Sequence, residues 1–271
     1  MKAAAYLAAG DGVTTGRNYF EGTDFTDTGE YWTGNRYWPI SAATINFLAV
    51  APEVAGVATT FPTTTNYASQ SQTVVTGNET NQHDVMYSTA RASKNAGSAP
   101  AAVNMTFKHA YSWLDFNFKK STGAPKIVIN GITVNGVACN GTLTVTVTNA
   151  GSSSDALTTS QAWSSYTPAA LTVPEPTSEF ELTTNYVEYE KGILLIPEKP
   201  FTSFVINYTI ADQTFDYTYT PTTLTWAAGK RYVYNITMSP SLISINPTLE
   251  AWDGDSTDSN DDDNDSTVGI N

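Results

Sequence analysis

Period-two alternation of apolar and polar side chains runs through this chain, and helical periodicity is nearly absent. Between Gly141 and Asn149, Leu143, Val145 and Val147 alternate with four threonines. Successive side chains of a strand point to opposite faces, so such a segment buries one face and wets the other. No long stretch repeats apolar residues at i, i+3, i+4 and i+7 between helix caps. Short alternating runs separated by Gly, Pro, Asn and Asp predict an all-β sandwich architecture instead.

Other strands are readable at Ala3–Ala9, Thr44–Val50, Asn66–Val75, Gln82–Ser88, Val103–Lys119, Lys126–Asn135, Gly192–Ile196, Ser203–Ile210, Phe215–Tyr219, Lys230–Ser239 and Leu242–Trp252. Pro168, Pro174 and Pro176 keep residues 168–179 out of any central strand. The chain has 271 residues, enough for two medium domains. The composition shift at Gly123-Ala124-Pro125 predicts domains at residues 1–122 and 123–252. Beyond Trp252 lies an acidic Ser/Asn-rich tail, residues 253–271, expected to be disordered because it cannot bury a core.

In residues 103–118, Val103, Met105, Phe107 and His109 share one face, whereas Leu114, Phe116 and Phe118 have the other parity. One continuous strand would need a bulge near Ala110–Ser112 to switch its inward face.

Several function classes are excluded by composition. The formal charge of −13 repels phosphate backbones, so nucleic acid is not a partner. The single cysteine, Cys139, rules out a disulfide framework and a cysteine-based zinc site. No run approaches the ~18 apolar residues of a membrane span. Lys2 followed by Ala3–Ala9 superficially resembles an export signal but is at the short limit for its apolar core, Gly10-Asp11-Gly12 follows, and no cysteine comes next to accept a lipid. The expectation is a chain written without its export signal, with Met1 not a native start.

No catalytic constellation emerges, so an enzyme is not expected. His83 and Asp84 are adjacent and point to opposite faces of a strand, and no Gly-x-Ser-x-Gly elbow exists. Glu175, Glu179, Glu181, Glu188 and Glu190 have no spacing that makes a glycosidase pair. Cofactor loops are missing, and no cofactor is expected. Asp253, Asp255, Asp258 and Asp261 offer calcium ligands at short spacing, but without the glycine and glutamate of an EF-hand they read as a solvated linker. Trp32, Tyr37, Trp38 and Trp163 are aromatics able to stack on sugars; Trp38 and Trp163 are the candidate glycan contacts, against a plain core role.

Six short segments, in order, resemble the fimbrillin-like surface proteins of Bacteroidales. They are Asn35-Arg36-Tyr37-Trp38-Pro39 with Ile45-Asn46-Phe47-Leu48-Ala49-Val50-Ala51-Pro52, Asp84-Val85-Met86-Tyr87, Phe107–Ser112, Leu194-Leu195-Ile196-Pro197, Trp226–Thr237 with its Gly229-Lys230, and Pro247–Trp252. The resemblance implies two tandem Greek-key, transthyretin-like β-sandwiches and an extracellular place at the outer-membrane surface as a lipoprotein. The implied partners are other subunits, in a homo- or hetero-polymer, and a host or bacterial surface receptor. In that family an N-terminal strand is removed after an arginine, and a neighbour's strand fills the groove. Here the displaced strand would carry Ala3, Ala5, Leu7 and Ala9, and the cut would follow Arg17; Arg36 falls inside the aromatic motif. The chain departs from the pattern in its acidic tail and in lacking a cysteine for the lipid anchor.

Two readings follow. One is a fimbrial structural subunit or tip adhesin that polymerises by donor-strand exchange. The other is a monomeric cell-surface glycan-binding protein.

Overall fold

A computed structural model describes residues 1–7, 18–29, 31–34, 37, 44–52, 57–59, 69–74, 82–93, 102–148, 157–189, 192–199, 201–221, 225–252 and 268–270. Its regular elements are all strands, arranged in five sheets. The amino-terminal sheet runs Lys108–His109, Met86–Ser93, Thr44–Ala51, Lys2–Leu7, Asn18–Asp24. The threonine sheet runs Thr158–Ser164, Gly141–Thr148, Ser69–Val74, Val57–Thr59. A core formed by Ala4, Tyr6, Leu48, Val50 and Tyr87 from the first and Leu143, Val145 and Val147 from the second joins them face to face.

A second pair of layers encloses the largest core. The mixed sheet runs Val187–Glu188, Ser112–Lys120, Lys230–Met238, Ile243–Ala251, with Ile193–Leu195 also on Ser112–Lys120. Facing it is a sheet running Ala169–Thr172, Ile127–Val137, Ser203–Ile210, Gln213–Tyr219, with Phe180–Glu181 also on Ile127–Val137. Phe116, Phe118, Ile129, Val134, Phe204, Ile206, Tyr234 and Ile236 pack between them. Pro247 has no N–H to give, and its strand lies at the edge of the mixed sheet, where that loss is tolerated.

Strand pairing crosses the expected division at residues 122 and 123 in both directions. Ser112–Lys120 lies parallel to Lys230–Met238 through eight residue pairs, from Trp113 opposite Arg231 to Lys120 opposite Met238. In return, Gly141–Thr148 pairs with Ser69–Val74. The parity switch after His109, expected as a bulge, is a change of sheet. Lys108 and His109 pair with Tyr87 and Met86, the Ala110 N–H donates to the Val85 carbonyl at 2.8 Å, and the next strand belongs to the mixed sheet. The stretch expected as a disordered tail contains a strand, Val268–Ile270, which pairs parallel with Tyr31–Thr33 and antiparallel with Val103–Met105.

Lys2–Leu7 and Thr44–Ala51 are covered on both faces. Beyond the core shared with the threonine sheet, Ala3, Ala5, Leu7, Ile45, Phe47 and Ala49 turn to the opposite side and pack with Phe20, Phe25, Val103 and Met105. Two-sided burial explains why these two strands read as nearly continuous apolar runs rather than as alternation.

Candidate functional site

The strand expected to be exchangeable sits inside its sheet, not at the rim. Lys2–Leu7 pairs antiparallel with Thr44–Ala51 through six consecutive residue pairs, Lys2 opposite Val50 to Leu7 opposite Ile45. On its other side it pairs antiparallel with Asn18–Asp24, with register shifts between Ala3 and Ala5 and between Ala5 and Tyr6. Gly22 in that flanking strand has φ of +58°, a conformation that favours glycine. Asn18–Asp24 has no other ladder partner among the described residues, so it hangs on the sheet through Lys2–Leu7 alone. At the end of the hairpin the Phe25 N–H donates to the Met1 carbonyl at 3.0 Å, and the Met1 amine donates to the Phe25 carbonyl at 3.4 Å.

Taking this strand away would therefore undo two ladders and open two cores. Ala3, Ala4 and Ala5 are fully buried, and Tyr6 and Leu7 nearly so. Side-chain burial holds the strand less tightly than five large apolar residues would. Tyr6 and Leu7 contribute roughly 1.5–3 kcal/mol each, but an alanine methyl contributes only about 0.8 kcal/mol. The backbone ladders carry much of the attachment, since each unpaired buried N–H or C=O left behind costs about 1–3 kcal/mol. An extended segment that restores both ladders and fits both faces is what such a slot accepts.

Other predicted residues are spread out. Ala9, Arg17, Trp38, Asp253, Asp255, Asp258 and Asp261 lie outside the described residues. Trp163 is half-buried in the edge strand Thr158–Ser164. Its indole N–H donates to the Ala110 carbonyl at 3.2 Å, and its ring lies 4.8 Å from that of Tyr111. Asp84 pairs not with its neighbour His83 but with Nδ1 of His109 on the adjacent strand. The His109 ring is covered by Trp252, stacked at 3.9 Å. Cys139 is buried, as expected for a small core residue.

One polar cluster escaped the sequence reading. Asp115 is almost wholly buried and accepts from Arg231 Nε at 2.6 Å. Burial pushes its carboxyl up to about 6, against the pull of the Arg231 guanidinium. Arg231 also reaches Glu188 at 3.3 Å and Glu250 at 3.5 Å, and lies over the Trp113 ring at 4.7 Å. Trp113 meets Trp252 edge-on at 5.5 Å. The signal was a lone aspartate inside the apolar run Trp113–Phe118, which demands a buried partner. Nearby, Gln82 closes a two-way link across the halves: its amide donates to the Leu194 carbonyl at 2.9 Å and accepts from the Leu194 N–H at 2.6 Å.

A family model described as fimbrillin-like matches residues 3–252. Among solved structures, a protein from Bacteroides uniformis described as a cell adhesion protein is similar at 15% identity and a TM-score of 0.55, covering 93% of this chain and 91% of that one. A fimbrial protein from Bacteroides vulgatus is similar at 14% identity and a TM-score of 0.51, covering 93% and 92%. A cell adhesion protein from Bacteroides ovatus, so described, gives 16% and 0.51, covering 93% and 87%. At these identities the likeness concerns the fold. No curated protein matches.

Proposed function

Because the chain belongs to the fimbrillin-like family, we propose that it is a subunit of a surface fimbria in which Lys2–Leu7 is the segment exchanged between neighbours. The protein is structural and not an enzyme. One observation carries the exchange reading: a single leading strand is paired on both edges and buried on both faces. Its loss would expose a slot that only another extended chain satisfies. Cleavage after Arg17 would free it while leaving Asn18–Asp24 covalently attached to the body of the chain, to pair with the replacement strand. On the same reading the subunit works outside the cell, with other fimbrial subunits as partners. Attachment to the outer membrane would need a lipid on a residue other than Cys139, which is buried.

The test is limited digestion with an arginine-specific protease, followed by size-exclusion chromatography and negative-stain microscopy. Cleaved protein should form end-to-end multimers, and Arg17→Gln should resist both cleavage and assembly. Cleaved protein that stays monomeric and retains residues 1–17 would end the exchange reading. Multimers from Arg17→Gln after digestion would move the cut to another arginine.

A further inference from the structure

We propose that a cleft at the side of the first pair of sheets is a binding site for a carboxylated sugar, such as a uronic or sialic acid. The cleft has a volume of about 330 Å³ and lies between strand Met86–Ser93 of the amino-terminal sheet and edge strand Thr158–Ser164 of the threonine sheet. That is the lower end of the ~300–1,000 Å³ typical of small-molecule sites, with room for a substituted sugar ring rather than a peptide.

Its lining is rich in hydroxyl groups. Thr89, Thr106, Thr158 and Thr159 line it, with Lys108 as the one charged residue among the described lining. Hydroxyls both donate and accept, which suits the mixed donor and acceptor pattern of a polyol. Tyr87 and Leu157 add apolar surface, as the C–H face of a pyranose requires.

Lys108 selects the charge of the ligand. It is exposed and pairs with no carboxylate among the described residues, and no acid is among the described residues that line the cleft. In a chain of net charge −13, an unpaired lysine beside a neutral polar wall favours an anionic group there. Trp163 is not among the residues that line this cleft.

The proposal stands apart from strand exchange, because it uses neither Lys2–Leu7 nor Arg17. Its test is titration of the uncleaved full chain, followed by calorimetry and ligand-observed NMR, with galacturonic acid, N-acetylneuraminic acid, galactose and sodium acetate. At least one acidic sugar should bind saturably at millimolar concentration, and galactose at least tenfold more weakly. Lys108→Gln should abolish the preference for the acidic sugar. Absence of saturable binding by either acidic sugar overturns the proposal. Acetate competing as well as the sugars would mean an adventitious ion only, and unchanged binding by Lys108→Gln would remove the site from this cleft.

Discussion

Lys2–Leu7 and Ser112–Lys120 are both interior strands flanked by ladders on two sides, yet they are held by different physics. The first presents three alanines, so its side chains contribute little and its backbone carries much of the attachment. The second buries Leu114, Phe116 and Phe118, and its Asp115 is tied to Arg231 on the neighbouring strand. Small side chains let a strand leave without tearing a large hole in the core. Large interlocked rings and a buried ion pair do the opposite. The chain thus contrasts an exchangeable strand with a permanent one, although both are central in their sheets.

The contrast breaks most readily at Arg231. Arg231→Met leaves the Asp115 carboxylate buried without its cation, and losing one partner of a buried pair costs about 3–5 kcal/mol. Urea denaturation at pH 7.5 should show a loss of that size. The deficit should shrink at pH 5, where Asp115 can take up a proton. A loss below ~1 kcal/mol would mean that the ion pair does not lock this strand, and the difference between the two strands would rest on ring packing alone.

Asp115→Asn probes the same lock with a smaller effect. The folded carboxyl sits at about 6 against an ordinary 3.8, chiefly because burial disfavours its charge. The folded state therefore binds the proton more tightly than the unfolded state. The stabilisation from this group is complete below about pH 4 and is lost as pH rises through 6. The asparagine variant has no such loss. Its stability relative to the parent should rise between pH 4 and pH 7.5 by roughly 2–3 kcal/mol, the equivalent of the shift. A gap between the two proteins that stays flat across this window would place the Asp115 carboxyl near its ordinary value.

At Lys2–Leu7 the corresponding probe is Ala4→Leu. Ala4 is fully exposed to neither solvent nor cavity: it has no accessible surface and packs in the core with Leu48, Val50 and Tyr87. Forcing three more carbons there should cost about 1–3 kcal/mol by overpacking. After protease nicking, the variant's leading peptide should also dissociate faster, read by mass spectrometry of the separated fractions. Unchanged stability would show space beside this strand, and the two-sided fit that distinguishes it would be lost.

Local pattern was legible, and partnership was not. Alternation of Leu143, Val145 and Val147 located the strand observed at Gly141–Thr148, and Thr44–Val50 was read within one residue of the observed Thr44–Ala51. The turn before Lys230 is equally visible, with Gly229 at φ of +65°. The parallel match of Ser112–Lys120 with Lys230–Met238 joins residues more than a hundred positions apart. Period-two patterns state which face is buried, not which strand lies alongside. His109 and Asp84 show the same limit: adjacency set His83 and Asp84 on opposite faces, but only the pairing of Lys108–His109 with Met86–Ser93 brings His109 to Asp84. For the candidate site, the strand could be read, but its interior position and its dependent neighbour Asn18–Asp24 follow from sheet order alone.

The smallest expected effect tests the place where the chain passes from one kind of strand to the other. The Ala110 carbonyl lies just before Ser112–Lys120 and accepts from two donors, Gln161 Nε2 at 3.0 Å and the Trp163 indole N–H at 3.2 Å. Trp163→Phe removes one donor but keeps an aromatic ring beside Tyr111, and the carbonyl stays satisfied by Gln161. A net hydrogen bond contributes about 0.5–1.5 kcal/mol, and a redundant one falls at or below the lower bound. The unfolding midpoint should therefore barely move, whereas Trp163→Phe combined with Gln161→Leu strands a buried carbonyl and should cost about 1–3 kcal/mol. If the single variant alone costs that much, the indole and not the amide fixes the crossing into Ser112–Lys120, and the permanence of that strand begins at Trp163 rather than at Asp115.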